Sequence, residues 1–299
     1  MRTPLSALLV RAALASPFKR PGVRALVQEP LTSAPVVPDP RHLAAYNAVC
    51  GFPGGAGVLP LTYPHVLAFP LAMRLMAARD FPLPLLGLVH TSIEITRHRP
   101  LHPAQELRLS VRTAKVAPHR RGTEATVVIE AAARDGELLW ESSSTYLARH
   151  RTPGTATETA KAPRPAPAAG TPWHLGADLG RRYASVSGDR NPIHLHPLTA
   201  RPFGFPRAIA HGMWTVARCL AEHEDGGGGG GGGGDGFACL KAEFKAPVLL
   251  PSTVTYTAHG SSAFELRSPT GRPHLTGVVT REPSAAPPSG PQGPPTRSS

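Results

Sequence analysis

The chain has 299 residues, long for one compact domain and suited to two, and hydrophobic residues (41%) suffice for a core in each. The net charge of +12 comes from scattered Lys and Arg, and with aromatics at 6% and no basic–aromatic interleaving it argues against a nucleic-acid binder. Three cysteines (Cys50, Cys219, Cys239) at unrelated spacings make neither a disulfide framework nor a zinc pattern, and no apolar run approaches the ~20 residues of a membrane span.

In chain order, residues 1–37 form a basic segment in which Arg2, Arg11, Lys19, Arg20 and Arg24 precede the first acid, Glu29. A mitochondrial transit peptide has this pattern, but so does the basic leading helix of a soluble protein. The second reading is the simpler, and the thiols suit a reducing compartment, so a cytoplasmic protein is expected. A first unit is expected over residues 38–150. It opens with HLAAYNAVCGF (His42 to Phe52), then a long helix, Tyr63 to Arg79, with Leu67, Leu71 and Leu75 at helical spacing. A strand follows in which Val89, Thr91, Ile93 and Ile95 alternate with His90, Ser92, Glu94 and Thr96, and three more are read at Leu107–Val116, Glu124–Arg134 and Leu138–Ala148.

Residues 151–172 hold almost no large apolar side chain and read as a Pro/Ala-rich linker. The second unit, residues 173–282, repeats the order of the first. DLGRRYASVSGD (Asp178 to Asp189) aligns Tyr183 with Tyr46, Val186 with Val49, Gly188 with Gly51 and Asp189 with Phe52. A second long helix, Arg207 to His223, places His211 at the position of His65 and Gly212 at that of Val66. Strands at Ala238–Phe244, Thr253–Gly260, Ala263–Ser268 and His274–Thr280 complete it. The glycine run Gly226–Gly234 reads as a tolerated surface insertion, and residues 283–299 as a disordered tail. A helix, a longer helix and then antiparallel strands define an α+β unit with a sheet wrapped on one apolar helix. Two in tandem pair as a pseudo-dimer.

Chemistry concentrates in Tyr183 to Met213. Asp189 and His194 flank Asn191-Pro192; Pro192 is expected to bar a helix and Asn191 to start a turn, bringing a carboxylate and an imidazole back towards each other. Acid/base work on one water or hydroxyl needs that arrangement. His194 and His196 with Asp189 make only a thin metal set, so no metal is expected. Arg201, Arg207, Lys241 and Lys245 suit an anionic ligand, or are simply solvated surface.

Four blocks in this stretch, Ser187-Gly188-Asp189, Asn191-Pro192-Ile193-His194, Gly204-Phe205 and Ala210-His211-Gly212-Met213, resemble the (R)-specific enoyl-CoA hydratases, or MaoC-like dehydratases. The resemblance runs from about Gly176 to Val279. It is weaker from Pro38 to Arg149. It implies a double hot-dog fold and reversible hydration of trans-2-enoyl thioesters to (3R)-hydroxyacyl thioesters. Asp189 and His194 match the catalytic pair, and Gly212 matches the glycine whose N–H binds the thioester carbonyl. Asn191 matches the loop-bracing asparagine, and Ser187, His211 and Met213 stand beside the substrate. No separate cofactor is implied, because coenzyme A or the phosphopantetheine of an acyl carrier protein enters with the substrate, and the basic chain suits either partner. A homodimer of double hot-dogs is open. The first unit has Phe52, Gly57 and Val66 where the second has Asp189, His194 and Gly212, and so is expected to be catalytically degenerate. Its residues Leu59, Leu61, Val66, Leu67 and Phe69 are then candidates to line the acyl channel. An acyl-thioester hydrolase on the same fold, and a non-catalytic acyl-binding subunit, are the rival readings.

Overall fold

Asp39 opens the first helix: its carboxylate accepts from Arg41 N–H at 3.0 Å, Pro40 occupies the first turn, and Gly51 closes it in the left-handed conformation (φ 83°). The computed structural model describes residues 29–55, 57–85, 87–151, 170–226 and 237–281. The leading segment to residue 28, residues 152–169 of the linker, residues 227–236 and the tail from 282 lie outside the described residues, and so do the expectations placed on them.

The first unit runs β1 (Leu31–Thr32), α1 (Pro40–Cys50), α2 (Tyr63–Ala77), β2 (Leu88–Arg97), β3 (Arg108–His119), β4 (Gly122–Ala132) and β5 (Leu138–Arg149). The second runs β6 (Thr171–Leu175), α3 (Leu179–Ser187), α4 (Pro192–Leu195), α5 (Pro197–Ala200), α6 (Gly212–Gly226), β7 (Phe237–Phe244), β8 (Ser252–His259), β9 (Ala263–Arg267) and β10 (Pro273–Arg281). All the strands join one antiparallel sheet of order β1-β3-β4-β5-β2-β7-β10-β9-β8-β6. Exchange each strand for its counterpart in the other unit and the order reads the same from either end. Each unit is therefore a hot-dog, a curved antiparallel sheet around a long helix, and the chain is a double hot-dog. The long helices are apolar where they meet the sheet: Val216, Ala217, Cys219, Leu220 and Ala221 of α6 are wholly buried, as are Tyr63 and Ala68 of α2.

The seam is the β2–β7 pair. Glu94 lies opposite Lys241 at its centre, and their side chains make an ion pair of 2.8 Å. Above it the short helices bond across the units. His42 Nε2–H donates to Val186 O at 2.7 Å while its Nδ1 accepts from the Tyr63 hydroxyl at 2.8 Å, and Trp214 Nε1–H donates to Val49 O at 3.0 Å. Tyr46 and Tyr183, aligned in the repeat, meet with ring centroids 6.3 Å apart.

Two sequence expectations change here. Pro192 does not bar a helix; it occupies the first position of the one-turn α4, where its missing N–H is no loss, and Asn191 caps that turn by accepting from Ile193 N–H. Strand β6 also takes Thr171 and Pro172 from the expected linker, pairing Pro172 with Thr255. A proline is tolerated there because β6 is an edge strand.

Candidate active site

The chain turns towards Asp189 at Gly188, whose φ of 74° ends α3 in a conformation few other residues adopt. The loop beyond is held by its own side chains. Ser187 Oγ accepts from Asp189 N–H at 3.2 Å, and Asp189 Oδ1 accepts from Asn191 N–H at 3.1 Å. α4 then sits directly on α3, because Gly180 has no side chain: a Cβ there would lie 1.9 Å from His194 O. The strand-like stretch before α6 is pinned from both sides, Ile209 N–H to Ile193 O at 3.0 Å and Ala210 N–H to Val248 O at 2.9 Å.

These constraints bring Asp189, His194 and His211 together. His194 Nε2 lies 3.9 Å and His211 Nε2 3.8 Å from Asp189 Oδ2, and the two imidazoles stack with centroids 3.7 Å apart. Asp189 is partly open to solvent, with 28% of its side chain exposed, whereas both histidines are buried. His194 Nδ1–H donates to Ile209 O at 2.8 Å, which leaves a lone pair on Nε2, facing the carboxylate. His211 Nε2–H donates to Asp189 O at 2.9 Å. Burial lowers the pKa of His194, against the pull of Asp189. Burial, reinforced by His194, brings His211 down to about 3. Both rings are therefore neutral at pH 7.

Gly212 is the first residue of α6, and Met213 beside it is buried in the core. A Cβ on Gly212 would come within 2.9 Å of the Phe244 ring. Helix N-termini carry unpaired N–H groups and the positive end of the dipole, so α6 opens as an anion-stabilising end beside His211.

The three ligand atoms of Asp189, His194 and His211 lie within 4.8 Å of one another, a spacing a metal could bridge. The donor set does not fit one. His211 Nε2, the atom that lies nearest the carboxylate, carries the proton it gives to Asp189 O, so that nitrogen has no lone pair to offer. His196, weighed with them in the sequence, is exposed, and its Nδ1 caps α5 by accepting from Leu198 N–H. Lys241 and Lys245 are engaged with Glu94 and Glu243, and Arg207 donates to Pro251 O, whereas Arg201 is exposed.

Residues of the first unit reach the same site, and sequence reasoning missed them. The pairing of β2 with β5 skips Thr91, so His90 lies opposite Tyr146 and Ser92 opposite Thr145. Such a bulge redirects a side chain. Here His90 stacks on Tyr146 (centroids 4.6 Å) and against Phe244 (4.7 Å). His65, the counterpart of His211, is buried at the start of α2. The pseudo-twofold through Glu94 and Lys241 exchanges His90 with Phe237 and Phe244 with Arg97. Those two, with Phe52, Leu59 and Leu61, line the degenerate counterpart of the site, a cavity of about 40 Å³. Ligand sites are typically ~300 Å³ or more. Of the residues expected to line an acyl channel, Leu59, Leu61 and Val66 are core residues, with Leu67 and Phe69 packed against that core.

Asp189, His194 and His211 thus cluster in a double hot-dog, beside the opening of a long helix. Residues 156–267 match the MaoC like domain. The chain is 35% identical over 278 residues to 3-hydroxyacyl-thioester dehydratase X of Mycobacterium tuberculosis, covering 91% of this chain and 96% of that protein. It superposes on a crystal structure of HtdX from that organism with a TM-score of 0.70 at 36% identity, over 83% of this chain and 98% of that one. A MaoC-like dehydratase from Phytophthora capsici shares the fold at 17% identity (TM-score 0.63, 87% and 98% covered). The chain belongs to the MaoC-like dehydratases and is a hydro-lyase. Among the described residues no helix is long and apolar enough to cross a membrane.

Proposed function

We propose that the protein interconverts (3R)-hydroxyacyl and trans-2-enoyl thioesters, with Asp189 and His194 as the reacting pair. The observation that carries this reading is the His194 Nε2 lone pair held 3.9 Å from Asp189 Oδ2, two acceptors side by side. A water donates one hydrogen to each. In dehydration, Nε2 takes the proton from the carbon next to the thioester, the imidazolium gives it to the departing hydroxyl, and water leaves. The carboxylate stabilises the imidazolium while it exists. Charge grows meanwhile on the thioester oxygen, where the Gly212 N–H is the donor. One such donor is typically worth ~3 kcal/mol. Coenzyme A or a carrier protein's phosphopantetheine enters as part of the substrate, and no other cofactor takes part.

Hydration of crotonyl-CoA and of a medium-chain 2-enoyl-CoA, followed by loss of the enoyl absorbance, tests the reading. Asp189→Asn and His194→Ala should each lower kcat/KM by about 100-fold or more. Chiral analysis of the product should give the 3R alcohol. Turnover surviving in both variants would remove the pair from the mechanism, and release of free thiol in place of hydration would make the protein a thioesterase.

A further inference from the structure

The wall that the first unit presents to the site contains buried polar atoms that the acid/base pair does not use. His65 Nδ1 and His90 Nε2 are shielded from solvent and have no hydrogen-bond partner among the described residues. A buried nitrogen left unmatched is destabilising, so two in the same wall call for an explanation. Asp189 acts electrostatically on His65, and His65 on His90. Burial brings His65 to about 4 and His90 to about 3, so both are neutral. The hydrogen bond between the His90 ring and the Ser92 backbone favours the protonated ring, so the ring N–H points to that carbonyl and Nε2 keeps its lone pair. The same ring lies against Phe244, which in turn lies against Gly212. In the counterpart cavity the equivalent position holds Phe237, with nothing polar to offer. The fold thus accepts an aromatic ring at this bulge, and only the side facing Asp189 has a hydrogen-bonding one.

We infer that His90 and His65 form a subsite, contributed by the degenerate unit, in which His90 Nε2 accepts a hydrogen bond from an O–H or N–H group of the bound acyl thioester outside the reacting bond. The inference rests on the placement of the substrate between Asp189, His194 and Gly212. Two sources supply such a donor: a further hydroxyl on the acyl chain, or an amide N–H of the pantetheine arm.

The test uses the full-length protein with His90→Phe, which installs the ring the other unit carries at this place, and His90→Asn, which restores a polar group. Dissociation constants are measured by calorimetry with butanoyl-CoA and 5-hydroxyhexanoyl-CoA, and kinetics with crotonyl-CoA and 5-hydroxyhex-2-enoyl-CoA. The expected result is a rise of about tenfold in Kd and KM for His90→Phe with kcat kept within about twofold, partly recovered in His90→Asn. A rise confined to the hydroxylated esters assigns the donor to the acyl chain, and a rise common to all assigns it to the pantetheine arm. Unchanged Kd and KM for every ester would overturn the subsite, as would a fall in kcat with Kd unchanged. Calorimetry decides the matter even if the wild type hydrates neither enoyl ester, an outcome that would count against the acid/base reading alone.

Discussion

At the scale of single residues, the site is governed by which ring nitrogen holds the proton. The proposed role of His194 as base rests on Ile209: the carbonyl takes its Nδ1–H, so the lone pair lies on Nε2, towards Asp189. His211 shares the stack but not that freedom, since its Nε2–H is bound to Asp189 O. It ties the Asp189 backbone to the start of α6 and stacks on the His194 ring. His211→Phe keeps the stack and deletes the anchor, a hydrogen bond worth about 1 kcal/mol. Steady-state hydration should then show kcat down by roughly tenfold with KM nearly constant. A loss as large as that of His194→Ala would instead make His211 a member of the reacting pair. The sequence alignment of His211 with His65 gave no way to separate these roles, because both copies keep the residue while only one has an aspartate nearby.

At the scale of elements, α4 carries His194 and is a single turn, too short to hold its place by its own hydrogen bonds. Contact with α3 fixes it, through the gap at Gly180. Gly180→Ala would press a methyl into His194 O, which is backbone and cannot swing aside. Overpacking of this kind costs about 1–3 kcal/mol. A lower melting temperature together with at least tenfold slower hydration is expected. Full stability and full activity would mean that α3 does not position α4. The elements that make the site differ in how far the sequence revealed them. The run from Ser187 to Met213 was legible because its turn chemistry is local: Gly188, Asn191 and Pro192 each act within two residues. The strands β2 to β5 and β7 to β10 were legible from their alternation. His90 was not, because the skip at Thr91 exists only in the pairing with β5, and no single strand's pattern records it. The one-turn α4 and the edge strand β6 escaped for a related reason. Proline breaks helices and strands in general, and its tolerance at a first turn or a sheet edge depends on where the fold puts it.

At the scale of the whole molecule, the buried histidines make folding sensitive to acid. In the unfolded chain each titrates near 6.5, whereas the folded values are lowered, to about 4 for His65 and to about 3 for His90 and His211. Below pH 6.5 the unfolded chain therefore binds protons that the folded chain refuses, and stability falls with the pH until each folded value is reached. Each fully buried ring contributes a slope of about 1.4 kcal/mol per pH unit in that window, and nothing above it. Calorimetric melting temperatures should be level from pH 8 to 7 and drop steeply from pH 6.5 towards 4.5. A flat profile across that range would show that the rings are not held neutral.

The β2–β7 seam joins halves of a single polypeptide, and this alters how the site answers to dilution. Were the two hot-dogs separate chains, the wall holding His65 and His90 would meet Asp189 only by association, and the assembled fraction would shrink with concentration. Tethering replaces that bimolecular step by an effective concentration fixed within the molecule. One copy has then been free to lose its aspartate and its histidine without leaving half of the assembled pairs inactive.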